Sequence, residues 1–307
     1  MSSDPTTAKE LTTMTLPLPE GPGWRSERLT VNDMTLHMRV AGEGPLVVLL
    51  HGWPQTSYAW RRVVPLLADR YRIAAVDLRG CGDSDRPTTG YEKHTVAADV
   101  AAVIEQLGSP ARVAGHDWGG AVGYVLAAGR PELVSHYAAV ETVLPGYGLV
   151  ELADIRRGQQ HAWWMSFCTI RDVPERLVAG REREFLSYFY REHAYSPTAI
   201  EPSDVDEYTR CYSAAGAMGA GFEYYRTLDE DTEGLAALPP PDCPLLAIGG
   251  KQRLGDLVAD SLRRHGADPR SLVLDRCGHY PAEEQPAQLA GALIDFFATP
   301  TLTGRAA

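Results

Sequence analysis

Positive charge is scarce in this sequence. Against 40 Asp and Glu there are 29 Lys and Arg, a formal net charge of −11 over 307 residues. No basic run interrupts the chain, which argues against a nucleic-acid partner. Long apolar runs are missing as well: none approaches the roughly 20 residues needed to span a bilayer, so no membrane partner is expected. Cysteine is sparse, and Cys81, Cys168, Cys211, Cys243 and Cys277 are odd in number, scattered and without CxxC spacing. They read as free thiols in a reducing compartment, not as a disulfide or zinc framework. Residues 1–23 carry no basic stretch leading into an apolar core, so they read as a poorly ordered lead and not a signal peptide; a cytoplasmic location is expected. Repeats, low-complexity tracts and metal-ligand clusters are absent from the sequence, and neither a metal nor a cofactor is called for. The glycine-rich loop Arg79 to Pro87 lacks the GK[ST] ending of a phosphate loop. It reads as a turn tied down by its Asp side chains.

A chain that is 44% hydrophobic and 22% charged has the profile of a globular protein, long enough for one large α/β domain with an insertion. Arg25 to Ala41 reads as two strands turning at Asn32-Asp33. Pro45 to Leu50 is an apolar run too short for a helix and reads as a strand buried on both faces. Ser57 to Ala68 reads as an amphipathic helix, Tyr71 to Asp77 as a strand, His94 to Leu107 as a helix, and His136 to Val140 as a strand ending at Glu141. Such alternation implies a mostly parallel, doubly wound sheet, whose sites lie at the carboxyl ends of its strands. From 146 to 241 the pattern changes: strand-like runs vanish, and aromatic and charged residues recur at helical spacing up to Pro239-Pro240-Pro241. Leu245 to Gly249 and Leu272 to Leu274 resume the sheet, and Pro286 to Phe297 reads as the last helix. The predicted organisation is a core of 24–145 and 242–307 carrying a helical insertion at 146–241.

The organising stretch is Val113-Ala114-Gly115-His116-Asp117-Trp118-Gly119-Gly120. Ala111 to Ala114 reads as a short buried strand and Trp118 to Ala128 as a helix rich in Ala and Gly, with a turn of about two residues between them. Small residues on both sides let strand and helix approach closely. Taken alone, the stretch also fits an ordinary strand-to-helix junction with Asp117 as its N-cap.

The pattern resembles the nucleophile elbow of the α/β-hydrolase superfamily, with Asp117 where the hydrolase motif has Ser. That exchange selects the chemistry, because a carboxylate attacks saturated carbon to form an ester whereas a Ser alkoxide attacks acyl carbon. Other segments extend the resemblance to the Asp-nucleophile branch of epoxide hydrolases and haloalkane dehalogenases. His51-Gly52-Trp53-Pro54, followed by Trp60-Arg61, is similar to that branch's HGxP segment, and Arg79 to Pro87 resembles its RGxGxSxxP loop. Cys277-Gly278-His279-Tyr280-Pro281-Ala282-Glu283-Glu284 resembles the superfamily's GHxxxxE segment. The resemblance covers Trp24 to Ala298. It implies an α/β-hydrolase fold with an inserted helical cap, a cis Trp53–Pro54 bond, and His279 as the base.

The acid that many relatives place after the strand at Leu245 to Gly249 is missing from Gly249-Gly250-Lys251-Gln252-Arg253. Glu141, at the end of the strand after the elbow helix, is preferred to Asp256 for that role. The implied reaction is attack of Asp117 on an epoxide carbon, then hydrolysis of the ester by water that His279 activates. The Trp53 and Trp118 amides would hold the oxyanion. Gly221-Phe222-Glu223-Tyr224-Tyr225-Arg226 resembles a cap motif of the family and makes Tyr225 a donor to the epoxide oxygen. A companion donor is expected within Ala162 to Phe167, but its position carries Trp164, with His161 one turn earlier. His51, Pro54, His161, Trp163, Trp164 and Phe222 complete the expected pocket, aromatic enough for a small apolar epoxide as the partner; a homodimer is left open. Two alternatives stand beside this reading. One is a haloalkane dehalogenase whose Trp118 and Trp164 indoles hold the halide, the other a non-catalytic ligand-binding form of the fold. Fluoroacetate dehalogenases are disfavoured because Trp118 replaces the arginine that follows their nucleophile.

Overall fold

The computed structural model describes residues 23–154, 156 and 162–301. Its strands are β1 (Trp24–Val31), β2 (Met34–Ala41), β3 (Leu46–Leu50), β4 (Arg72–Val76), β5 (Ala111–His116), β6 (Val134–Val140), β7 (Leu245–Gly250) and β8 (Arg270–Leu274). They form one sheet in the order β1-β2-β4-β3-β5-β6-β7-β8. Asn32 and Asp33 both take positive φ, 46° and 62°, the two-residue turn that a twisted hairpin favours. β1 and β2 pair antiparallel, as do β2 and β4, and the remaining pairs are parallel. The chain steps from β3 to β4 on one side and returns to the other side of β3 at β5. That reversal opens a crevice beyond the ends of β3 and β5, where sheets of this kind bind ligands.

Helices α1 (Val64–Leu67), α2 (Lys93–Leu107) and α3 (Trp118–Gly129) precede β6. Between β6 and β7 lie α4 (Trp163–Thr169), α5 (Val173–Val178), α6 (Glu182–His193), α7 (Pro202–Tyr212), α8 (Ala217–Arg226) and α9 (Leu228–Ala236), with no strand among the described residues there. α10 (Leu257–Arg264), α11 (Pro281–Glu284) and α12 (Pro286–Phe297) follow. Val48 and Leu50 point into the core beneath α2 and α3, and Val47 and Leu49 into the core beneath α1 and α12. β3 is thus buried on both faces, as its unbroken apolar run predicts.

Two local readings change. The amphipathic helix expected at Ser57 to Ala68 is a 3₁₀ turn over Ser57–Trp60 and a separate short α1. Pro65 explains the break, since it has no N–H to offer the carbonyl four residues back and belongs in a first turn. α10 was not signalled in the sequence. Its inner face is only Val258, Ala259, Ser261 and Leu262, a short and partly polar stripe. The loop Arg79 to Pro87 is the tied turn expected: Asp77 accepts the Ser57 and Asp83 amides at 2.6 and 3.0 Å, and Asp85 accepts the Thr35 amide at 2.7 Å. His37, Asp77 and Asp83 converge there, but His37 Nδ1 already bonds to Asp77 at 2.6 Å.

Buried charges tie the helical segment to the sheet layers. Arg61 bridges Asp204 on α7 and Glu283 on α11, the latter at 2.6 Å, and the Tyr208 hydroxyl donates to Glu283 at 2.8 Å. Lys93 on α2 bonds to Asp231 on α9 and to the Tyr224 carbonyl on α8, both at 2.6 Å. All five cysteines are buried and unpaired. Among the described residues no helix is long and apolar enough to cross a membrane.

Candidate active site

Asp117 ends the β5–α3 turn at φ 51°, ψ −122°, a conformation that costs a non-glycine residue about 1–3 kcal/mol and persists only where its surroundings enforce it. Here its amide donates to the Val140 carbonyl at 3.2 Å and the Thr142 hydroxyl donates to its carbonyl at 2.8 Å. A Cβ at Gly115 would overlap the Gly119 backbone, and one at Gly52 would overlap Asp117 itself. Both glycines are therefore required by close approach. The Asp117 carboxylate makes no helix-capping bond, which removes the N-cap explanation. It accepts instead the Trp53 amide at 2.9 Å. The Trp53–Pro54 bond is cis, as expected. Burial works to raise the Asp117 carboxyl, but the bond and charge of His279 overcome it and hold the group below its usual range.

His279 follows β8. Its Nε2 lies 3.6 Å from Asp117 Oδ2 and its Nδ1 lies 3.0 Å from Glu141 Oε2. Glu141, fully buried after β6 at φ 45°, is fixed through Oε1 by the Gly250 and Leu254 amides at 2.6 and 3.2 Å. Asp256 stands exposed at the start of α10. Burial opposes protonation of His279, but the two carboxylates outweigh it and raise the imidazole to about 9. In the resting site it is an imidazolium between two anions.

A cavity opens over these groups. Trp53, Pro54, Trp118, Trp164, Tyr225 and His279 are among its walls. The Tyr225 ring meets Trp53 and Trp118 edge-on at 5.4 and 5.1 Å, and Lys93 Nζ lies 4.2 Å from the centre of the Trp118 ring. Burial, then the Asp117 charge, holds the Tyr225 phenol well above its usual range, so it stays protonated. Trp118 Nε1 is buried without a partner.

Three residues expected in the pocket do not line it. His51 is fully buried; its Nε2 accepts the Leu78 amide at 3.0 Å, so Nδ1 carries the proton to the Gly52 carbonyl at 2.9 Å. It fixes the loop and offers substrate nothing. Trp163 donates to the Tyr188 hydroxyl at 3.0 Å, and Phe222 is sealed behind Trp53 and Phe185. His161 lies outside the described residues. Other lining residues carried no motif: Phe189, His193 and Arg253; Tyr280, also in the lining, stands within the GHxxxxE segment but was given no role by it. Phe189 and His193, one turn apart on α6, were legible only as an ordinary apolar helix face.

Residues 45–286 match the sequence profile of a family described as alpha/beta hydrolase fold. The soluble epoxide hydrolase of Corynebacterium sp. (strain C12) is 34% identical over 87% of this chain and 95% of its own. A fluoroacetate dehalogenase of Burkholderia sp. is 27% identical over 76% of this chain and 79% of its own. The crystal structure of wild-type Cfl2 from Burkholderia cenocepacia superposes with a TM-score of 0.85 at 39% identity, covering 91% of this chain and 97% of that one.

Proposed function

This chain belongs to the α/β-hydrolase superfamily, in its epoxide hydrolase branch, and on that premise we propose that it opens a small, largely apolar epoxide to a vicinal diol through an ester on Asp117. The observation that carries the reading is the line Asp117–His279–Glu141, at 3.6 and 3.0 Å, beneath a protonated Tyr225.

Asp117 attacks one epoxide carbon as that carbon's bond to oxygen breaks, and Tyr225 gives its proton to the departing oxygen. Esterification removes the Asp117 charge, one of the two anions that hold the proton on His279. The imidazolium can then return a proton to the Tyr225 phenolate, which leaves a neutral base. His279 next takes a proton from water, the hydroxide adds to the ester carbonyl, and the Trp53 and Trp118 amides meet the oxyanion. Collapse breaks the acyl–oxygen bond, the alkoxide takes the acid's proton to complete the diol, and Asp117 faces His279 imidazolium again. No step draws on a metal or cofactor. The helices α4 to α9 serve as a cap that carries Tyr225 over the nucleophile and keeps bulk water from the ester.

A second reading is favoured by one feature, the unpartnered Trp118 Nε1 beside Trp164. Two indole N–H groups suit a departing halide, which needs hydrogen bonds but no proton. Parallel turnover of aryl and alkyl epoxides and haloalkanes separates the two. Diol from epoxides without halide release supports the hydrolase of epoxides; halide release alone supports the dehalogenase.

A further inference from the structure

A second line of hydrogen-bonded side chains lies on the first hairpin, and none of its members lines the cavity over Asp117. Ser26 on β1 is exposed, whereas His37 on β2 and Asp77 just after β4 are buried. The Ser26 hydroxyl meets His37 Nε2 at 2.7 Å, and His37 Nδ1 meets Asp77 Oδ2 at 2.6 Å. The Ser57 amide braces one Asp77 oxygen and the Asp83 amide the other. Burial acts to raise the Asp77 carboxyl, but the His37 bond and the Asp83 amide help hold it below its usual range. It is ionised and can only accept, so in the neutral imidazole Nδ1 carries the proton and Nε2 offers its lone pair to the Ser26 O–H. Arg39 is the Cα partner of Ser26 in the β1–β2 pair, and side chains so paired are direct neighbours on one face. Arg39 is buried; its Nη2 reaches Glu207 at 3.3 Å, while its Nη1 has no hydrogen-bond partner among the described residues.

These groups stand in the order that activates a serine: a hydroxyl on a base, the base turned by a buried carboxylate, and a donor for the charge that develops on the substrate. Nothing in the chemistry at Asp117 uses them. We propose that Ser26 is a second nucleophile of this chain, an acyl-transfer site for small activated carboxylic esters. His37 is its base, Asp77 positions His37, and Arg39 faces the developing oxyanion. The Ser26 oxygen bonds to the acyl carbon as its proton passes to His37 Nε2, and the carbonyl electron pair moves onto oxygen. Collapse breaks the bond to the leaving oxygen, which departs as an alcohol with the proton from His37. Water then repeats the sequence on the acyl-Ser26 ester, releasing the carboxylic acid and restoring the hydroxyl. β1 is the first strand of the sheet and Ser26 is exposed on it, so the reactivity of the leaving group, and not enclosure of the substrate, decides what reacts.

The experiment exposes the full chain to an alkyl fluorophosphonate, which a serine activated in this way attacks: the Ser26 O–P bond forms, the P–F bond breaks, and fluoride leaves. Intact mass should rise by one phosphonyl group, and peptide mapping should place it on Ser26. Asp117→Asn should label as fast as the parent, and Ser26→Ala, with the parent's urea midpoint, should not label. Asp77→Asn should label about 10⁴-fold more slowly, by analogy with loss of the carboxylate from a serine-protease triad. Asp77 also braces the loop after β4, so a second variant reads the base without disturbing that loop. At pH 7 Ser26→Cys should alkylate with iodoacetamide about tenfold faster than Thr30→Cys, since a free thiol is only slightly ionised there and a neighbouring base raises that fraction. Thr30 is exposed on the same strand, opposite Thr35. Absence of a Ser26 adduct in the parent, or an adduct that maps elsewhere, overturns the proposal. Equal alkylation of the two thiols, or labelling of folded Asp77→Asn at the parent rate, overturns it too by reducing His37 and Asp77 to a structural tie. None of these outcomes bears on the epoxide reading, which rests on Asp117.

Discussion

Glu141 Oε2 lies 3.0 Å from Nδ1 of His279, and the other Glu141 oxygen is pinned by the Gly250 and Leu254 amides. The carboxylate therefore holds the ring with Nε2 toward Asp117 and stabilises its charge. Glu141→Gln keeps the shape and loses the charge. Steady-state turnover of an epoxide should fall about 10⁴-fold, by analogy with replacement of the carboxylate in a serine-protease triad. Asp256→Asn should leave turnover unchanged; the reverse pattern would return the role to Asp256.

The donor ranking follows from acidity. A phenol of pKa about 10 can surrender a proton to an alkoxide, whereas an indole N–H is donor-only and far too weak an acid. Tyr225→Phe should therefore slow esterification of Asp117 by epoxides about 10²–10⁴-fold, the range for lost general acid catalysis. Trp164→Phe should cost much less. The opposite ranking, together with halide release from haloalkanes, would favour the dehalogenase reading.

Stability should depend on pH through His279. Its folded-state value is raised from 6.5 to about 9, so the contribution of its ion pairs is fully present below 6.5 and is lost as pH rises through 9. Urea midpoints should fall between pH 6.5 and 9, and His279→Gln should flatten that slope. A slope unchanged by the substitution would show that His279 is not an imidazolium in the resting site.

Arg61 joins the helical segment to the sheet layers through Asp204 and Glu283. Asp204 and Glu283 are 7% and 0% exposed at their side chains, so Arg61→Met would leave two buried carboxylates with only the longer contacts of Arg62, at 3.6 and 3.9 Å. Loss of one partner of a buried ion pair costs about 3–5 kcal/mol, measurable by chemical denaturation. A change below about 1 kcal/mol, the scale of an exposed pair, would mean that the network is hydrated and does not clamp the cap.

Much of this site could be read from sequence because its parts stand in short local patterns. The Asp117 elbow needs small neighbours on both sides, and the HGxP and GHxxxxE segments sit at strand ends, where a doubly wound sheet puts its chemistry. Glu141 was legible for the same reason. The residues misplaced or missed depend on tertiary direction. His51 sits in a family segment, yet its ring turns back to the Leu78 amide. Trp163 and Trp164 are adjacent on α4, but only Trp164 reaches the cavity. His193 and Arg253 carry no local pattern, and their places in the cavity wall follow from how α6 and the loop after β7 pack beside Asp117. Pro65 was visible in the sequence, and its effect on the helix expected at Ser57 to Ala68 was open to prediction.

The central claim is that Asp117 becomes covalently bonded to substrate. The most direct measurement is the intact mass of the His279→Gln protein after exposure to a turned-over epoxide, followed by peptide mapping. The account predicts a gain equal to the epoxide's mass, located on Asp117, that persists because no base activates water. An unchanged mass in a protein that still binds the epoxide, or an adduct on another residue, would contradict it.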